Sequence, residues 1–102
     1  MVLDGKIKET LKKEIVEQLA EFPEVRKVVI FGSFLISEAP HDLDIAVFQD
    51  SDQSYYPLAL KYRKKLRAIA NRIPIDVVPI RKKPENGAFL QEIEKGEILY
   101  ER

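Results

Sequence analysis

Three aspartates stand in or beside segments of this sequence that otherwise resemble buried strands. Asp42 and Asp44 open the run DLDIAVF, and Asp76 interrupts the run IPIDVVPI. Burying an unpaired carboxylate costs several kcal/mol, so the pattern needs a physical reason. Either water reaches these side chains or a positive group lies against them.

Strand geometry predicts that the three acids cluster. Successive side chains of a strand point to opposite faces, so Asp42 and Asp44 share one face while Leu43, Ile45 and Val47 share the other. If the two strands are neighbours, at a spacing of roughly 4.8 Å, Asp76 can lie beside Asp44 on the same face. Two unit charges about 4 Å apart repel by roughly 4 kcal/mol near a protein surface, so the trio needs a cation or a proton. Oxygen ligands in a chain without cysteine favour Mg²⁺ or Mn²⁺ over Zn²⁺.

Each motif also has a purely structural interpretation. Asp42 could begin a strand in water, and Asp76 could pair with a lysine or arginine. Gly32-Ser33 is typical of a tight turn followed by a helix cap. His41, the one histidine, fits a turn residue better than a general base. The order of the motifs, taken together, is what favours a functional site.

Length and composition restrict the classes of protein to consider. A chain of 102 residues predicts one domain over residues 1–102, with no room for a second, substrate-holding domain. Hydrophobic residues make up 45% and charged residues 33%, as in proteins that fold on their own. Lys+Arg and Asp+Glu both number 17, so net charge gives no argument for a nucleic-acid or membrane partner.

Targeting signals are not evident either. The longest apolar run, residues 28–36, is too short to span a bilayer, and the first residues lack the order of a signal peptide. The absence of cysteine excludes disulfides and thiol catalysis. We therefore expect a cytoplasmic protein with no membrane partner.

The elements that must position these residues follow from hydrophobic periodicity. Ile7, Leu11, Ile15 and Leu19 predict one face of a helix within residues 1–22, which Pro23 helps to end. Further elements are predicted as a strand at 25–31, a short helix at 34–39 capped by Ser33, a strand at 42–48, a helix with Leu58, Tyr62, Leu66, Ile69 and Ile73 on one side, a strand at 75–80, a short helix near 89–94 and an edge strand at 98–100. This alternation predicts an α/β or α+β fold with a small mixed sheet of three to four strands flanked by helices.

The order of motifs resembles the nucleotidyltransferase superfamily that includes DNA polymerase β, and most closely its smallest branch, the minimal nucleotidyltransferases. The pattern of that branch is a Gly-Ser pair, a spacer, a strand with two acids around a hydrophobic residue, and one more acid on a later strand. This sequence has Gly32-Ser33, the run from Asp42 to Asp44, and Asp76. The resemblance covers essentially the whole chain and implies the polymerase β palm-like fold.

The resemblance also implies roles for these residues. Backbone N–H groups of Gly32 and Ser33 would bind the triphosphate of ATP or another nucleoside triphosphate. Asp42 and Asp44 would bind the metal ion that bridges the phosphates, and Asp76 would share a second metal ion and receive the proton of the attacking hydroxyl. All three acids would thus be metal ligands and catalytic, with Mg²⁺ or Mn²⁺ as cofactor. The reaction would be attack on the α-phosphorus with release of pyrophosphate.

The acceptor is implied by the same resemblance. Minimal nucleotidyltransferases are commonly paired with small helical HEPN proteins as antitoxin and toxin, and some transfer AMP to a tyrosine of that partner. We therefore expect a HEPN partner. The spacer FLISEAPH, eight residues long, is shorter than is common in that branch and lacks its Arg-Gly pair. This departure supports an alternative, a catalytically degenerate protein that neutralises a toxin by binding alone.

A third interpretation is RNA binding, because nine basic residues crowd one third of the chain. They are Lys61, Arg63, Lys64, Lys65, Arg67, Arg72, Arg81, Lys82 and Lys83. The competing interpretation is a solvated helix face followed by a basic loop.

Overall fold

The computed structural model describes residues 3–81, 91 and 93–102. In chain order, the helices and strands are α1 (Gly5–Leu19), β1 (Val25–Phe31), α2 (Ser33–Ile36), β2 (Leu43–Gln49), α3 (Tyr55–Lys65), α4 (Arg67–Ala70), β3 (Ile75–Arg81) and β4 (Glu97–Glu101). Four strands form one mixed sheet with helices packed against it, which confirms the predicted α/β class. The predicted loop around residues 84–87 lies outside the described residues, as do residues 89, 90 and 92 of the predicted helix near 89–94.

The order of strands determines which strand ends meet. The sheet has the order β3-β2-β1-β4, with β2 parallel to β3 and β1 antiparallel to both β2 and β4. The connection through α3 and α4 restores the strand direction between β2 and β3, as a parallel pair requires. The carboxyl end of β1 therefore lies at the same end of the sheet as the amino ends of β2 and β3.

The first helix shows how the sequence sets one face of the fold. The Asp4 carboxylate accepts a hydrogen bond from the Ile7 N–H at 2.8 Å and caps α1. Leu11, Ile15 and Leu19 are buried against the sheet as predicted, whereas Ile7 is 40% exposed and lies at the rim. Among the described residues, none of the helices is both long and apolar enough to cross a bilayer.

The hydrophobic core separates the two faces of β2. Leu43, Ile45 and Val47 are fully buried in the larger core, between the sheet and the helices. Strand alternation directs Asp44 to the opposite face. A smaller cluster consists of Val29, Ala46, Ile80 and Ile93. Since Ala46 alternates with the core residues of β2, this cluster lies on the same face as Asp44.

The predicted helix through Leu58 and Ile73 is divided in the structure. Leu66, with φ −96° and ψ 17°, separates α3 from α4. Its N–H is shared between the carbonyls of Tyr62 and Arg63, at 3.1 and 3.2 Å, which tightens the turn. The apolar face survives the interruption, because Leu58, Tyr62, Leu66, Ile69 and Ile73 are all buried.

Candidate metal and nucleotide site

Strand pairing brings the three aspartates together. Asp44 and Asp76 are directly paired across the parallel strands β2 and β3, and Asp42 immediately precedes β2. One carboxylate oxygen from each of the three lies within 4.8 Å of the others. The expected convergence is therefore present. Asp76 is the second residue of β3, so it lies at the amino end of that strand, beside the amino end of β2.

Electrostatic repulsion within this cluster is substantial. At 4.8 Å, two unit charges repel by roughly 3 kcal/mol at an effective dielectric constant of about 20. Burial raises the pKa of the Asp44 carboxyl to about 6, helped by the charges of Asp42 and Asp76 and by a hydrogen bond with Asp76. Asp42 and Asp44 are partly buried and Asp76 is exposed. Within the cluster, Asp44 is therefore the carboxylate whose ionisation is disfavoured by both burial and its neighbours.

Gly32 lies directly against the acids. It directly follows Phe31, the last residue of β1, which pairs with Asp44 on β2. Gly32 adopts a φ of +81°. A Cβ atom at this position would lie 2.6 Å from Asp44 Oδ2. Both the left-handed backbone conformation and the contact require glycine. The backbone of Gly32 therefore lies against the carboxylate of Asp44, with no side chain between them.

Ser33 has a different structural role from the one predicted. The N-cap of α2 is Gly32, and Ser33 is the first helical residue. The prediction that Ser33 caps the helix is therefore wrong, because the turn out of β1 is made at the glycine. The Ser33 hydroxyl makes no hydrogen bond to another described residue, and its carbonyl accepts the Ser37 N–H at 2.8 Å.

The donor set fits a hard divalent cation. All three donors are carboxylates, the ligands that Mg²⁺ and Mn²⁺ accept most readily. In an octahedral site with metal–oxygen distances of about 2.1 Å, cis ligands lie roughly 3.0 Å apart and trans ligands roughly 4.2 Å apart, so the three oxygens would draw closer together around one ion.

Positive side chains do not neutralise the acids within the described part of the chain. None of the three forms an ion pair with a described residue, so the interpretation of Asp76 as a salt-bridge partner is not supported there. His41 is exposed in the turn before β2.

Several members of the basic cluster are paired elsewhere. The ion pairs are Lys61–Glu24, Lys65–Glu21 and Arg72–Glu14. Arg81 donates to the Gln53 carbonyl at 2.7 Å, and Lys82 and Lys83 lie outside the described residues. The pairs favour a charge-balanced surface, and RNA binding stays a prediction.

One residue near the site was not identified from the sequence. Lys8 of α1 donates hydrogen bonds to backbone carbonyls of Phe34 and Ser37, at 2.6 and 2.7 Å. In the sequence, Lys8 is one of several lysines between the apolar positions of an amphipathic helix. No local pattern distinguishes it, because its partners are defined only by the packing of α1 beside α2.

The same fold occurs in chains of solved toxin–antitoxin complexes. A chain of the complex between the tri-AMPylated HEPN toxin of Shewanella oneidensis and an MNT antitoxin has a TM-score of 0.68 at 23% identity, over 93% of this chain and 73% of that chain. A chain of the MntA–HepT toxin–antitoxin gives 0.66 at 22%, over 92% and 73%. A toxin–antitoxin with AMP-PNP gives 0.68 at 23%, over 89% and 73%. These TM-scores establish a shared fold.

Family membership rests on the sequence itself. A search of curated proteins returns no match. The sequence model described as polymerase beta, nucleotidyltransferase, matches residues 6–102, a range that includes every residue of the candidate site. This match confirms the resemblance noted from the Gly-Ser and aspartate motifs. The chain therefore belongs to the polymerase beta nucleotidyltransferase family.

Proposed function

We propose that this chain is a metal-dependent nucleotidyltransferase that transfers AMP from ATP to a HEPN-type toxin and so acts as its antitoxin. The observation that carries the proposal is the convergence of three carboxylates within 4.8 Å beside a glycine turn. Family membership supports nucleotidyl transfer as the reaction class. Complexes with the same fold include a tri-AMPylated HEPN toxin and a toxin–antitoxin with AMP-PNP, which supports AMP as the transferred group.

The three acids are the proposed metal ligands. Asp42 and Asp44 hold the cation that accompanies the triphosphate, and Asp76 completes the set. When bound, Mg²⁺ or Mn²⁺ neutralises phosphate charge and lowers the pKa of the attacking hydroxyl. Asp76 accepts the proton of that hydroxyl. Its exposure supports this role, because an acceptor carried by another protein must approach from solvent.

Gly32 and Ser33 are the proposed phosphate ligands. Their backbone N–H groups and the Ser33 hydroxyl donate hydrogen bonds to phosphate oxygens. Because no side chain separates the Gly32 backbone from Asp44, phosphate oxygens can approach the turn and the acids at once. The acceptor oxygen then attacks the α-phosphorus, the bond from that phosphorus to the β-bridging oxygen breaks, and pyrophosphate leaves.

A transfer assay tests the proposal. The protein is incubated with ATP labelled at the α-phosphate, Mg²⁺ and the product of the neighbouring gene. We expect label on the partner with the wild type and none with Asp76→Asn. Asp52→Asn is the matched control, because Asp52 is exposed in the loop after β2 and forms no hydrogen bond or ion pair with a described residue. Label found neither on the partner nor on RNA would refute nucleotidyl transfer.

A second candidate function is toxin neutralisation by binding alone. The observation that favours it is the short spacer, in which α2 is only four residues long. Calorimetry separates the two functions. If Asp42→Asn and Asp76→Asn still neutralise the partner, and the wild type shows no affinity for Mg-ATP, the binding role is the correct one.

A further inference from the structure

A lysine on α1 is bonded to the short helix that follows the glycine turn. The Lys8 ammonium donates to the Phe34 carbonyl at 2.6 Å and to the Ser37 carbonyl at 2.7 Å. The same nitrogen lies 5.2 Å from the centre of the Phe34 ring. Hydrogen bonds from a charged donor are shorter and stronger than neutral ones. Two carbonyls and one ring thus surround a single cation that joins two elements distant in sequence.

The short helix depends on such contacts. α2 has four residues, and isolated helices of this length are unstable in water. Its own backbone bonds include Leu35 N–H to the Gly32 carbonyl at 3.2 Å and Ser37 N–H to the Ser33 carbonyl at 2.8 Å. The Phe34 side chain anchors α2 in the core. The Lys8 charge lies at the carboxyl end of α2, where exposed carbonyls favour a cation.

The position of α2 determines the position of the turn beside the acids. α2 begins at Ser33, directly after the Gly32 backbone that lies against Asp44. The acids are held differently, because Asp44 and Asp76 are fixed by the pairing of β2 and β3. A displacement of α2 would therefore move the turn while leaving the carboxylates together. A displacement of α2 should therefore weaken nucleotide binding and leave metal binding unchanged.

We propose that Lys8 is a positioning residue for the nucleotide, which acts by fixing α2 and, through it, the Gly32-Ser33 turn at the acidic cluster. The proposal rests on the function proposed above, in which that turn binds phosphate. Lys8 makes no contact with the reacting atoms in this scheme. Its loss should weaken nucleotide binding selectively, and an arginine, which keeps the charge and several donors, should preserve it.

The test compares three variants by calorimetry with Mg²⁺ and AMP-PNP, and with Mn²⁺ alone. For Lys8→Met we expect the Kd for AMP-PNP to rise about tenfold to a hundredfold, the range that corresponds to the loss of one hydrogen bond to a charged phosphate group. Lys8→Arg should remain close to the wild type. Lys13→Met is the control, because Lys13 is exposed on α1 and makes no hydrogen bond or ion pair with a described residue. The Kd for Mn²⁺ should be unchanged in all three.

Two outcomes of the titrations overturn the proposal. An unchanged Kd for AMP-PNP in Lys8→Met shows that Lys8 does not position the turn. Equal losses of AMP-PNP and Mn²⁺ binding show a general loss of structure instead.

Amide hydrogen exchange separates failure of this inference from failure of the proposed function. Lys8→Met should exchange faster than the wild type at residues 33–37, with the amides of β2 unchanged. If the wild type itself binds no AMP-PNP, the proposed function fails, and exchange decides the role of Lys8. Unchanged exchange at residues 33–37 then overturns it, whereas a local increase supports the positioning of the turn.

Discussion

Replacing Asp44 with asparagine should stabilise the metal-free protein at neutral pH. Burial and the charges of Asp42 and Asp76 raise the pKa of the Asp44 carboxyl from 3.8 to about 6. The folded state therefore binds this proton more tightly than the unfolded state does. The resulting stability is fully present below about pH 4 and is lost as the pH rises through about 6. Asparagine has nearly the same shape and no charge, so it avoids the loss.

The magnitude follows from the pKa of Asp44. A tenfold change in proton affinity is worth about 1.4 kcal/mol, so the interval from 3.8 to about 6 corresponds to at most about 3 kcal/mol. Asp44 is only partly buried, and solvent screening reduces this value. We expect the free energy of unfolding of Asp44→Asn to exceed that of the wild type by about 1 to 2 kcal/mol at about pH 7, and by little at about pH 4.

Urea unfolding with a chelator present measures this difference as a function of pH. Asp52→Asn, which removes an exposed acid away from the cluster, should show no such pH dependence. Addition of Mg²⁺ should stabilise the wild type and not Asp44→Asn, since the metal removes the repulsion only where its ligands are intact. A less stable Asp44→Asn at about pH 7 without metal would show that the acids do not repel one another as the geometry requires.

Two further substitutions test local features of the fold by thermal or urea unfolding. Gly32→Ala should cost about 1 to 3 kcal/mol, because φ is +81° and the new Cβ meets Asp44, whereas Gly5→Ala, which has open space around its Cβ, should change stability by no more than about 1 kcal/mol. An equal effect of the two would show that the Gly32 conformation is not required. Tyr62→Phe should cost about 1 to 2 kcal/mol, because the buried hydroxyl donates to Glu24 at 3.0 Å, and an unchanged midpoint would show that this hydrogen bond contributes nothing.

The arrangement of the acids could be predicted because strand periodicity is strict. Alternation placed Asp42 and Asp44 on one face, and the assumption that their strand neighbours the next one placed Asp76 beside Asp44. The first strand has the predicted bounds, Val25–Phe31. The shared face of the acids and the bounds of β1 follow from local sequence patterns, which tertiary packing does not change. That the three aspartates are metal ligands and catalytic groups stays a prediction.

The details that could not be predicted depend on tertiary contacts. The sequence does not show that the Gly32 backbone rests on Asp44, because that contact requires both the turn conformation and the pairing of β1 with β2. The break at Leu66 is equally hidden, since the apolar spacing around it is that of one continuous helix. Lys8 finds its carbonyl partners 26 and 29 residues away.

The acidic cluster also helps to define the register of the central strand. A slip of β2 by one residue would exchange its two faces, so that Asp44 would enter the helix-packed core and Leu43 and Ile45 would leave it. Burying that carboxylate without a partner costs several kcal/mol, and exposing two large apolar side chains costs a few more. Together these costs exceed the repulsion of about 3 kcal/mol between the acids in the native register. Typical domains are stable by only about 5 to 15 kcal/mol, so such a slip would be close to unfolding. Asp44 therefore lowers the stability of the native state at neutral pH while widening the free-energy gap between the native register and the slipped one.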